Sequence, residues 1–133
     1  MRVLALDYGS ARCGCAVSDP TGTLATPIDP VERPGTRKGM ARVVEVVRER
    51  EAERVVVGLP VSLGGGDSDQ TRECRAFADA LRSRIAVPVE LYDERFTTAI
   101  AARSGGASTS EDSRAAAVLL EDWLFVHARE AGA

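Results

Sequence analysis

The sequence predicts an α/β domain, a five-stranded mixed sheet with helices on both faces, and three observations carry that prediction. An almost continuous apolar run, residues 2–7, stops at Asp7, as a central strand covered on both sides does. Two turn signals follow in close succession, so the first three strands form an antiparallel meander. From residue 37 onward helical and strand-like patterns alternate, which demands crossover connections and a parallel part of the sheet.

Taken in order, the first strand is 2–7 (RVLALD), and Gly9 and Gly14 flank the turn after it. CAVSD (15–19) returns as the second strand, Thr21-Gly22 turns the chain again, and TLATPI (23–28) is the third. Pro27, Pro30 and Pro34 then predict a loop to about residue 36. Met40, Val43, Val44 and Val47 recur at helical spacing and predict a helix over 37–52. RVVVGLP (54–60) is a β-branched strand stopped by Gly58 and Pro60, followed by a glycine-rich loop, 62–70. A helix over 70–84 carries Phe77, Ala80 and Leu81, and VPVELY (87–92) is the fifth strand, running into Asp93-Glu94-Arg95. A short helix is expected near Thr97, a loop over 104–110 and a last helix over 111–129. There is no internal repeat and no break in composition, so residues 1–133 are read as one domain.

Composition narrows the function classes. Hydrophobic residues make up 44% of the 133 and both charge signs are abundant, the profile of a folded globular chain rather than a disordered one. No apolar run approaches the ~20 residues that span a bilayer, and the N-terminus lacks the small-residue cleavage site of a secretory signal. Cys13, Cys15 and Cys74 are odd in number with no C-x-x-C pair, which predicts reduced thiols and a cytoplasmic protein. With His127 as the single histidine, a zinc site has no ligand set. The net charge of −3 argues against broad electrostatic binding of nucleic acid, yet 16 of 17 basic residues are arginine, which grips phosphate bidentately. A local basic face and a mere compositional bias toward arginine both remain open.

Acidic residues stand where α/β sheets build their sites, beyond the carboxyl ends of strands. Asp7 ends the first strand, Asp93 and Glu94 end the fifth, and Asp112 opens the last helix. On that helix Asp112, Ala116, Leu119, Trp123 and Val126 share one stripe, whose apolar members must face the sheet. Asp112 then lies at the open end of the core-facing side, within reach of the strand tips. Crowded carboxylates repel, and a hard divalent cation such as Mg²⁺ or Mn²⁺ relieves that repulsion. Each acid also has a plainer reading: Asp7 as a turn residue, Asp112 as part of a helix cap, Asp93 and Glu94 as surface partners of Arg95.

Gly9, Gly14, Gly58 and Gly64–Gly66 either permit tight turns or let a phosphate backbone approach closely. No Gly-Lys-Ser/Thr follows them, so there is no P-loop. Arg12, Arg37, Lys38, Arg72, Arg75 and Arg95 are candidates for phosphate contact or simple solvated charges. Thr97 and Thr98 suit either phosphate or the cap of the short helix. Trp123 is expected in the core and His127 on the surface near its helix end.

Four blocks resemble one known family. RVLALDYGSARCGCAVSD (2–19), VVVGLPVSLGGGDS (55–68), YDERFTT (92–98) and EDSRAAAVLLEDWL (111–124) occur in the order of the YqgF family and span nearly the whole chain. The resemblance implies an RNase H-like three-layer fold related to RuvC-type resolvases, and an acidic site for divalent metal. Asp7, Glu94 (with Asp93 as its neighbour) and Asp112 match that family's acids. It also implies one of two proposed activities, maturation of the 5′ end of pre-16S ribosomal RNA or resolution of four-way DNA junctions, with a 5′-phosphate on the product. Where the family often carries Lys-Arg in the first turn, this chain has Ala11-Arg12, and the loop before the first helix is proline-rich with Arg33, Arg37 and Lys38.

The combined reading is a phosphodiesterase using one or two Mg²⁺ or Mn²⁺ ions held by Asp7, Glu94 and Asp112, which are also its catalytic residues. Arg12, Arg95, Thr97, Thr98 and Gly9 are the expected contacts to nucleic acid, either structured RNA or branched DNA. The chain is expected as monomer or homodimer, and junction resolution requires the homodimer because two strands are cut symmetrically. The rivals are a non-catalytic nucleic-acid-binding assembly factor and, last, an ATP-binding relative of actin-like proteins, which need two such domains around the nucleotide.

Overall fold

A computed structural model describes residues 2–21, 24–59, 69–93 and 111–132, without the side chains of 93, 111, 112 and 128–132. Five strands form one sheet in the order β3-β2-β1-β4-β5. They are β1 (Val3–Asp7), β2 (Arg12–Ser18), β3 (Ala25–Glu32), β4 (Arg54–Leu59) and β5 (Val89–Asp93). Three helices are described: α1 (Arg37–Glu49), α2 (Asp69–Arg82) and α3 (Glu111–Gly132). The meander β1-β2-β3 is antiparallel, whereas β1-β4 and β4-β5 pair in parallel. The mixed sheet and its helices are those the sequence predicts. The expected short helix near Thr97 and the glycine-rich loop lie outside the described residues.

Strand alternation divides the core in two. Leu4, Leu6, Tyr8, Cys13, Cys15, Val55 and Val57 join the apolar faces of α1 and α2. Val3, Ala5, Ala16 and Val56 face the other way, onto Ala116, Leu119, Leu120 and Trp123 of α3. Both sides of β1 are thus buried, which is why its sequence reads as a continuous apolar run.

The differences from expectation have local causes. β3 runs past residue 28 through Pro30 to Glu32, a stretch the sequence reading gave to a loop. It is an edge strand paired only with β2, so prolines that cannot donate to a ladder are tolerated there. α1 ends at Glu49 rather than 52, because Glu51 takes the left-handed conformation (φ 52°) and the Ala52 N–H turns back to the Val47 carbonyl at 3.0 Å. At its start, the Thr36 hydroxyl accepts the Gly39 N–H at 3.0 Å. A Cβ on Gly39 would meet the Arg33 carbonyl oxygen at 1.9 Å, so only glycine lets α1 approach this loop. Val126, assigned to the sheet-facing stripe of the last helix, is 36% exposed, whereas Ala116, Leu119 and Trp123 are buried as expected. His127 is not a free surface group: it is half-buried, stacked on Trp123 with ring centroids 3.8 Å apart.

Candidate active site at the carboxyl end of the central strand

Asp7 closes β1 at the centre of the sheet and is half-buried. Its register partners are Gly14 on β2 and Gly58 on β4, and the row continues to Tyr92 on β5. Register partners share a face of the sheet. The carboxylate therefore stands between two strands that present no side chain beside it. By alternation with Val3 and Ala5 it belongs to the α3 face. Gly14 and Gly58, read from the sequence as turn formers or as places for a phosphate backbone to approach, are buried strand residues that set no side chain beside the acid.

The start of α3 is brought to this place by Ser113, which sequence reasoning did not single out. Ser113 is buried (1% exposed), its hydroxyl accepts the Cys15 N–H at 3.3 Å and donates to the Ile28 carbonyl at 2.5 Å. These groups flank the register shift between Cys13 and Cys15, where a β-bulge interrupts the β2-β3 ladder. The hydroxyl replaces the missing ladder partner and pins the first turn of α3 across β2, one residue from Gly14. A serine in the first turn of a helix reads locally as a capping residue, so nothing nearby in sequence reveals this role. Further along α3, Trp123 Nε1 donates to Glu90 Oε1 at 2.9 Å, and the Tyr92 hydroxyl bonds Asp122, which fixes the helix to β5.

The predicted site residues divide by where they fall. Asp7 and Gly9 lie at and just after the end of β1, and Arg12 opens β2, exposed. A Cβ on Gly9 would sit 2.7 Å from the Arg12 carbonyl oxygen, so the tight turn alone requires glycine. Glu94, Arg95, Thr97 and Thr98 lie outside the described residues. Asp112 is placed in the first turn of α3 by its backbone, immediately before the pinned Ser113. Of the other arginines considered, Arg72 pairs with Asp69.

Carboxylate oxygens are the donors that hard divalent cations prefer, so the acid set matches Mg²⁺ or Mn²⁺ in kind. The described residues hold no cluster of three or more His, Cys, Asp or Glu able to bind a metal, and two of the three expected acids are not among the described side chains. Cys13, Cys15 and Cys74 are free and buried on the opposite face of the sheet. A hydrogen bond with Cys15, then burial, pushes the Cys13 thiol well above its ordinary range, so it stays protonated.

Among solved structures, RuvC of T. thermophilus in complex with a Holliday junction substrate superposes with a TM-score of 0.62, covering 96% of this chain and 95% of that one at 18% identity. The same organism's RuvC in a second structure gives 0.60. The fold is therefore RuvC-like, of the RNase H-like class. The model of the RuvX family, described as Holliday junction resolvase, matches residues 1–125. A Mycobacteroides abscessus protein named "Putative pre-16S rRNA nuclease" is 43% identical over 92% of this chain and 80% of its own. A Thermobifida fusca protein of the same name is 43% identical over 95% and 88%. The chain belongs to the RuvX family, the YqgF family whose sequence blocks it carries. Among the described residues, no helix is long and apolar enough to cross a membrane.

Proposed function

We propose that this chain is a divalent-metal-dependent endonuclease that processes the 5′ end of pre-16S ribosomal RNA in the cytoplasm. The observation that carries the reading is the placing of Asp7 at the carboxyl end of the central strand, between Gly14 and Gly58, with the first turn of α3 tied across β2 beside it. The name shared by its relatives supplies the substrate.

Asp7, Glu94 and Asp112 would hold one or two Mg²⁺ or Mn²⁺ ions. Bound there, the metal supplies Lewis acidity, activating water and offsetting the charge of the leaving oxygen. The chain's own work is positional. Asp7 is held by a strand buried on both sides, Ser113 sets where α3 begins, and the paired glycines set no side chain beside the carboxylate. Arg12 and Arg95 would hold the backbone phosphates, with Thr97, Thr98 and the turn at Gly9 completing the contact.

The family description and the RuvC-like fold favour a second reading, cleavage of four-way DNA junctions by a homodimer. A labelled panel containing a pre-16S 5′-leader RNA and a four-way junction, incubated with Mn²⁺ or Mg²⁺, separates the two by which substrate is cut. Sedimentation adds the oligomeric state. Tight binding with no cutting of either would replace both readings by an assembly factor.

A further inference from the structure

Two adjoining pockets lie on the other side of the sheet from Asp7, next to Tyr8. One, of about 240 Å³, is lined by Met40, Ala76, Phe77 and Ala80 together with Tyr8 and Glu73. The second, of about 380 Å³, shares Tyr8 and Glu73 and is bordered by Ser10, Arg33 and Thr36. Tyr8 is 7% exposed, and its ring packs at a tilt on Phe77 with centroids 4.8 Å apart. It borders both pockets.

From this geometry we infer that the cleft beside Tyr8 receives an unpaired guanine nucleotide of a single-stranded RNA running over the Asp7 end of the sheet. The inference rests on the nucleic-acid reading above and gives it a substrate class.

The smaller pocket falls below the roughly 300–1,000 Å³ of a drug-sized site, so it takes one ring system and not a whole nucleotide. Its lining is mostly apolar, as the face of a base requires. Glu73, when ionised, only accepts hydrogen bonds, and the Tyr8 hydroxyl both donates and accepts. Guanine offers two adjacent N–H donors to a carboxylate. Uracil offers one, between two carbonyl oxygens that the carboxylate repels. The adjoining pocket suits the sugar and phosphate. Arg33 borders it, and α1 begins there with Thr36, Arg37 and Lys38 and no acid in its first turn. Cations at a helix N-terminus oppose the helix dipole, and an anion bound there resolves the conflict. Asp7 and Tyr8 are consecutive, about 3.8 Å apart at Cα, and face opposite sides. A strand crossing the sheet end therefore presents a phosphate to one and a neighbouring base to the other.

The test measures binding of labelled RNA hexamers in EDTA, all-uridine against the same chain with one central guanosine, with free 5′-GMP as a third ligand. The proteins are the wild type, Glu73→Gln and Ala76→Trp, the last filling the pocket from an exposed helix position. The guanosine hexamer should bind the wild type about tenfold tighter than the uridine hexamer. Glu73→Gln should erase that preference, Ala76→Trp should reduce the guanosine hexamer to the uridine level, and GMP should bind far more weakly than the hexamer. Equal affinity for both hexamers, or a preference that survives both variants, overturns the inference while leaving the nuclease reading intact. GMP binding as tightly as the hexamer overturns the strand assignment in favour of a free-nucleotide site. Failure of the wild type to bind any RNA sinks the inference together with the RNA reading.

Discussion

The Ser113 hydroxyl accepts the backbone N–H of Cys15 at 3.3 Å, across 98 positions of sequence. This contact joins the first turn of α3 to β2 opposite the bulge of β3, beside the glycine that neighbours Asp7. It is how a chain with acids at positions 7 and 112 brings their elements to one place.

Ser113→Ala leaves the Cys15 N–H and the Ile28 carbonyl without their partner inside the fold. Unsatisfied buried groups of this kind cost about 1–3 kcal/mol. The expected result is a loss of that size in urea unfolding, with a larger proportional loss of nuclease activity, because the helix start is no longer held. A loss of stability with unchanged turnover would show that Ser113 serves only the fold.

Gly58→Val places a branched side chain on the strand beside Asp7. β-Branched residues suit strands, so secondary structure should persist by circular dichroism. Cleavage should fall at least about tenfold, the size of one modest steric or positional loss of about 1.4 kcal/mol. Full activity in a folded Gly58→Val protein would mean that the bare strand positions beside Asp7 play no part.

Burial, and then the Glu73 carboxylate, push the Tyr8 phenol above its ordinary value of 10.0. The neutral form is favoured in the fold, so this contribution is complete below the unfolded value and is lost as pH rises through the folded one. Urea midpoints should therefore fall above pH 10, and fall less steeply in Tyr8→Phe. At neutral pH the same variant should match the wild type within about 0.5 kcal/mol, since it keeps the ring that packs on Phe77. A wild type and a Tyr8→Phe protein with identical alkaline profiles would contradict the assignment.

Much of the fold was legible because periodicity and burial agree. The apolar run of β1 means burial on both faces, and the Met40, Val43 and Val47 spacing does give the buried side of α1. Three features were hidden. The length of β3 depends on its edge position, which only the topology reveals, so the stretch beyond residue 28 with Pro30 read as a loop. Gly14 and Gly58 look like turn residues until register sets both beside Asp7. Ser113 acts through a contact 98 residues away, beyond any local pattern. Of the candidate site, Asp7 and the backbone of Asp112 are placed among the described elements. Glu94, Arg95, Thr97 and Thr98 lie outside the described residues, and their roles remain proposals.

The most direct test is cleavage of the pre-16S 5′-leader RNA in Mn²⁺ by the wild type and by Asp7→Asn, with folding checked by circular dichroism. Replacing the anionic carboxylate by a neutral amide should abolish cutting, by at least about a hundredfold, in a protein that remains folded and still binds RNA. A folded Asp7→Asn protein that cuts at the wild-type rate would contradict the account, because the strand end on which the proposed site is built would then play no part in the chemistry.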